Sequence, residues 1–262
     1  MNEENSLLTG AVRPALLRYA LPIILSMVAT QFYAVADTMI IGLRLDADAL
    51  AAVSNASTVL MIFLFISGGM ELGGGLLVAA GKPTATKHEM TELLYNLLFV
   101  DEVIALLTTA VGFVTLPALL RLINTPAEIL DTAVLYGRIY LMGLPFLMPY
   151  DLSKECVMGC GDSKTPLKVI VATSAMNIVL DLVFVITFDW GVSGAAAATV
   201  ISQFVSGIGI FIYTLIKFPE CKVSKKHMNI KLSMVAELSQ FSFLTCVQQS
   251  VMNFGILMIQ GL

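Results

Sequence analysis

The sequence predicts an all-α membrane protein, a bundle of six helices followed by a seventh. Three observations predict it. Only 13% of the 262 residues are charged and 57% are hydrophobic, whereas soluble domains carry about 25% charged residues. Apolar runs of bilayer-crossing length recur near 20–43, 50–80, 95–117, 130–152, 166–188, 192–216 and 238–262. The basic residues between these runs also segregate. With the N-terminus placed in the cytoplasm, Arg13, Arg18, Lys82, Lys87, Lys154, Lys164, Lys168 and the group from Lys217 to Lys231 share one side, and Arg44 and Arg121 fall in loops on the other. The positive-inside rule therefore expects a cytoplasmic N-terminus. A missed or invented span would scramble that segregation. The net charge of −4 adds little, because sidedness follows the placement of Lys and Arg rather than their sum.

The opening residues MNEENSLLTGAV lack a basic region and no small-residue cleavage site follows, so the first span is expected to remain as an anchor. That span carries Pro22, which removes a backbone hydrogen bond and predicts a bend, and Asp37 nearer its far end. The second span holds the cluster SGGMELGGG, whose small residues let helices approach closely; Glu71 stands among them. In the third span, Asp101 and Glu102 fall in the cytoplasmic part, where a later helix start would leave them near the headgroups. The fourth contains Pro145 and Pro149, with a bend expected, and Arg138, expected to snorkel outward. At its inner end Asp151, Lys154 and Glu155 have the spacing of local ion pairs at the interface. Cys156 and Cys160 have no histidine close in sequence and read as inert thiols rather than metal ligands. The fifth span carries Asn177 and Asp181 one turn apart, and the sixth carries Thr199 in GVSGAAAATV. His88 and His227 fall in loops, where a solvated role is expected. The division is then a lobe over 1–217, a basic linker over 218–236 that can also touch anionic headgroups, and a further helix over 237–262.

A carboxylate near the bilayer centre costs several kcal/mol and is functional by default. Asp37 lies about 6 residues from the outer end of its span, and Asp181 and Thr199 each about 7 from theirs, so all three sit roughly 10 Å deep. They can share one layer. Asn177 lies one turn deeper on the Asp181 face. Two carboxylates with an amide and a hydroxyl offer oxygen contacts to a hard cation such as Na⁺, and close carboxylates can also hold and release a proton.

The segment ALPIILSMVATQFYAVADTMIIG resembles the first helix of the multidrug and toxic compound extrusion (MATE) transporters, of the MOP superfamily. GLPF at 143–146, GCGDSKTP at 159–166, NIVLD at 177–181 and GVSGAAAATVISQ at 191–203 follow in that family's order and spacing. The resemblance implies a twelve-helix fold of two six-helix lobes, a transporter rather than an enzyme, and no cofactor beyond the coupling ion. It implies exchange of Na⁺ or H⁺ for amphipathic organic cations or drugs across the cell membrane, with the lipid bilayer and no nucleic acid as partner. It also implies that Asp37, Asn177, Asp181 and Thr199 bind the cation, with no other metal, and that a bend at Pro22 couples binding to release.

The chain departs from the family pattern after the second span, where ELGGGLLVAAGKPTATKHEM places Glu71 at a candidate gate. Its length matches one lobe plus the start of another. Three readings follow: a truncated transporter; a half-transporter that pairs with a second lobe or with its own copy; and a lipid-linked oligosaccharide flippase or a non-transporting membrane fragment. A flippase is expected to line its cavity with several Arg or Lys, and Arg138 is the only basic residue expected well inside a span. That favours the drug exporter.

Overall fold

A computed structural model describes residues 12–81 and 86–217, together with 236, 240, 243–245, 247, 248 and 251. The linker, most of the last expected span, and His227 lie outside the described residues. Every regular element among the described residues is helical. These are α1 (Val12–Arg44), α2 (Ala47–Gly81), α3 (Lys87–Leu122), α4 (Ala127–Met142), α5 (Leu144–Gly159), α6 (Lys164–Asp181) with a π-helical continuation over Leu182–Thr187, and α7 (Gly191–Lys217). Five of the helical segments are long and apolar enough to cross a membrane, and the chain is a multi-pass membrane protein.

The helix ends follow local chemistry. Asp46 accepts from the Ala49 N–H at 2.8 Å and starts α2. Thr86 and Glu89 form a reciprocal capping box at α3: the Thr86 N–H donates to Glu89 Oε2 at 2.8 Å, and the Glu89 N–H donates to Thr86 Oγ1 at 3.3 Å. His88 is therefore helical rather than in a loop; its imidazole lies 3.6 Å from Glu92. Asn124 (φ 58°) and Asp189 (φ 54°) turn the chain through the left-handed region, which short polar side chains tolerate.

The fourth expected span divides. Gly143 separates α4 from α5, and Pro145 sits in the first turn of α5, where a missing N–H costs no helical hydrogen bond. The break thus precedes both prolines, while α5 runs on through Pro149. A side chain at Gly143 would strike Gln203 and Val200 of α7, so the glycine also permits close approach. At the other proline, α1 stays one helix through Pro22.

Two cores stack along the bundle. The first gathers Ile41, the N-terminal half of α2, Leu116 and Leu120 of α3, α4, Val185 and the start of α7. The second gathers Val78 of α2, Met90, Leu94 and Leu97 of α3, the α5 face from Tyr150 to Val157, and Ile210. The glycine cluster of α2 does what small residues permit. A Cβ on Gly75 would sit 2.8 Å from Glu155 Cβ, and one on Gly159 2.8 Å from the Gly75 carbonyl oxygen, so α2 and α5 touch backbone to backbone. α1 packs chiefly on α6. Its remaining surface is apolar and open, with Phe32 72% and Met39 57% exposed.

Candidate cation site and cavity

Asp181 is the last residue of α6 and is fully buried. The π-helical turn begins at the next residue: Phe188 N–H donates to Val183 O at 2.9 Å, and such wide turns recur beside functional sites. It is held against α7 by Gly194, where a Cβ would lie 3.1 Å from the Phe184 carbonyl carbon. Asn177, buried one turn earlier, has hydrogen-bond partners in one amide orientation. Its Nδ2 then donates to Asp181 Oδ2 at 3.0 Å and its oxygen accepts from the Thr199 N–H at 3.3 Å. The Thr199 hydroxyl donates to Ala195 O of its own helix at 3.1 Å and also meets the Tyr33 hydroxyl. Asp37 of α1 lies near enough for its charge to act on Asp181. One oxygen of each carboxyl, Oδ1 in both, has no hydrogen-bond partner. The structure thus brings Asn177, Asp181 and Thr199 into contact and sets Asp37 within electrostatic reach of Asp181.

Below this layer a cavity of about 480 Å³ opens between α1, α4, α5, α6 and α7. Tyr33, Asn177 and Thr199 line one end; Asp151, Lys154, Glu155 and Met158 line the other. Hydroxyls mark its walls at helical spacing. Ser26 and Thr30 lie on α1, Thr173 and Ser174 on α6, Ser202 and Ser206 on α7. Most of these donate to their own helix, as Ser206 does to Ser202 O at 2.8 Å and Ser26 to Pro22 O at 2.8 Å. Sequence reasoning missed this lining. The i, i+3, i+4, i+7 pattern of Thr199, Ser202, Gln203 and Ser206 was the signal that could have found it.

Three expectations are corrected. Asp101 is fully buried inside the bundle: α3 begins at Lys87 rather than later, which places Asp101 about 21 Å along the helix. The Asp151, Lys154 and Glu155 group faces the interior cavity rather than the interface, and Glu71 joins it: Lys154 Nζ is 2.8 Å from Asp151 Oδ1, 3.7 Å from Glu155 Oε1 and 4.0 Å from Glu71 Oε2. Among the described residues, Lys154 rather than Arg138 is therefore a basic residue of the interior. Arg138 is exposed, with its guanidinium 5.8 Å from the Phe113 ring centroid.

At the same end the Tyr19 hydroxyl donates to Met158 O at 2.7 Å, joining α1 to α5 beside the cavity. The turn between α5 and α6 is tied to α7 by Asp162, which accepts from Tyr213 OH at 2.6 Å, from Thr165 Oγ1 at 2.8 Å, and from the Lys164 and Thr165 N–H groups at 3.1 Å. Burial pushes the Asp162 carboxyl up, but these bonds outweigh it and hold it below its ordinary value.

The family model MatE matches residues 22–183. The chain is 30% identical over 212 residues to the probable multidrug resistance protein YpnP of Bacillus subtilis, covering 79% of this chain and 45% of that protein. It is 25% identical over 255 residues to the probable multidrug resistance protein NorM of Thermotoga maritima, covering 96% and 54%. Among solved structures, an outward-facing multidrug resistance MATE family transporter of the MOP superfamily superposes with a TM-score of 0.87 at 21% identity, over 98% of this chain and 57% of that one. The chain spans about half the length of the curated relatives it matches.

Proposed function

The chain belongs to the MatE family, whose members are transporters and not enzymes, and from that premise we propose that it forms the N-terminal lobe of a secondary antiporter. The antiporter exports amphipathic organic cations or other xenobiotics in exchange for Na⁺ or H⁺. One observation carries the reading: Asp181 is fully buried in an apolar helix, bonded to Asn177 and within electrostatic reach of the Asp37 carboxyl. A membrane helix keeps such an acid where the acid is used. In this role Asp37 and Asp181 take up the coupling cation, Asn177 orients Asp181, and Thr199 contributes an oxygen. Pro22 leaves the α1 ladder one bond short and lets that helix bend, and Glu71 gates the inner end through Lys154.

The cavity supports the cationic substrate class, because its walls offer Met27, Met158 and tyrosine rings with two acids against one lysine. Several basic groups, as a flippase would need, are not gathered among the residues that line it. The distribution of Lys and Arg supports a cytoplasmic N-terminus in the cell membrane. A single lobe offers half of an inter-lobe pathway, so the complete activity calls for a second lobe, either further chain or another copy. The test is reconstitution in liposomes under imposed Na⁺ and pH gradients. Gradient-driven movement of a cationic dye that is lost in Asp181→Asn is expected; dye movement indifferent to both gradients rejects the antiporter.

A further inference from the structure

Lys154 sits among more acids than it can neutralise. Asp151 and Glu155 from its own helix and Glu71 from α2 converge on its ammonium group at 2.8, 3.7 and 4.0 Å, and all four side chains are at least three-quarters buried. Asp101 of α3 lies within electrostatic reach of Asp151, and neither of its carboxyl oxygens has a hydrogen-bond partner. An independent observation points from this cluster into the cavity. Tyr150 and Ser202 both line the cavity, both are more than nine-tenths buried, and neither hydroxyl has a hydrogen-bond partner. Buried polar atoms left in this way take water when the space is roomy and polar, and about 480 Å³ is ample. From Thr199 to Ser206 the hydroxyl-bearing face of α7 covers about 10 Å, so one file of water can link the Asp181 layer to the Lys154 cluster.

We propose that the Lys154 cluster is a second proton-exchange station, joined to the Asp37 and Asp181 layer by the hydroxyl-lined cavity, so that a proton passes between the layer and the inner face within this one lobe. This rests on the reading of that layer as the coupling site and commits it to the proton. Proton rather than metal follows from the chemistry of the cluster. Its carboxylates already converge on an ammonium group, and no three acid, histidine or cysteine groups among the described residues could hold a metal ion. Asp37 and Asp181 do not line the cavity themselves, and the Tyr33 and Thr199 residues at its end stand between. In the transfer, the O–H bond of a layer carboxylic acid breaks as its proton passes to one of these hydroxyls, which gives its own proton to a cavity water. That water passes one of its own protons along the file, and the last water gives up a proton, its O–H bond breaking as a new O–H bond forms on the Asp151 carboxylate. No electrons change hands, and release of that proton at the inner face completes the balance. The other titratable groups facing the cluster are Asp101, Glu102, Tyr19, Tyr140, Tyr150 and Cys160; α6 and α7 present neutral hydroxyls there.

The test is time-resolved infrared spectroscopy of the carboxyl stretch after a pH jump, on the full chain in lipid nanodiscs. Two bands are expected, one removed by Asp181→Asn and another reduced by Asp151→Asn. Ser202→Leu, which fills the cavity, is expected to slow the Asp181-sensitive band about tenfold, equivalent to about 1.4 kcal/mol of barrier, and to leave the Asp151-sensitive band at its wild-type rate. Ser202→Ala removes the hydroxyl without adding bulk, serves where Ser202→Leu does not fold, and is expected to slow the same band to a smaller extent. An Asp181-sensitive band that keeps its wild-type rate in the folded Ser202 variants overturns the relay, as does the absence of any Asp151-sensitive band. Absence of an Asp181-sensitive band alone overturns the layer on which the relay rests.

Discussion

At the residue scale, Asp181 shows why spacing and contact are different kinds of information. The i−4 amide was readable as a face-sharing neighbour, whereas the bonds that tie Asn177 to both Asp181 and the Thr199 backbone arise only once α6 and α7 are packed. Replacing Asp181 with Asn keeps the shape and removes the charge, so coupling-cation-induced protection of the α6 amides in hydrogen exchange is expected to vanish; protection equal to wild type rejects the site. Asp162 yields a pH prediction with a defined sign. Its folded pKa is lowered, so its contribution is complete above the ordinary carboxylate value, about 3.9, and is lost as pH falls through the folded value. Acid should therefore loosen the turn between α5 and α6 from α7. Tyr213→Phe removes one of its bonds, worth about 1 kcal/mol, and should flatten that acid-side loss in the unfolding profile.

At the element scale, small residues decide which helices meet. Gly75 and Gly159 let α2 and α5 approach backbone to backbone, and that approach brings Glu71 to Lys154. A Gly75→Val substitution forces side-chain bulk into Glu155 and is expected to cost about 1–3 kcal/mol, read as a lower unfolding midpoint in detergent; an unchanged midpoint contradicts the packing. The π-helical turn after Asp181 has no sequence signature, since LVFVIT reads as ordinary apolar helix. It depends on contacts from α7, with Gly194 seated on Phe184 and the Trp190 ring stacked on Phe184 at 4.9 Å between centroids.

For the whole molecule, the apolar exterior and the polar cavity divide the work. α1 keeps a broad apolar surface outward and contributes Ser26, Thr30 and Tyr33 to the interior. Nitroxide labels at Phe32 and Met39 in bilayers are therefore expected to show high oxygen and low aqueous accessibility, and a label at Lys164, beside the α5–α6 turn, the reverse. Aqueous accessibility at Phe32 equal to that at Lys164 would contradict the membrane placement of α1.

Hydropathy, basic-residue segregation and ordered motifs determined the class, the six-helix pattern and the family, because each is a property of the chain along one dimension. The same patterns nominated the four layer residues by depth. They misplaced Asp101 and the Lys154 group and missed the hydroxyl lining. Whether a polar residue meets water, lipid or another helix depends on which faces the bundle closes against one another. Tertiary structure decided those matters: the break at Gly143, the backbone contact of α2 with α5, the wide turn after Asp181, and the cavity that places Lys154 and its three acids below the Asp181 layer.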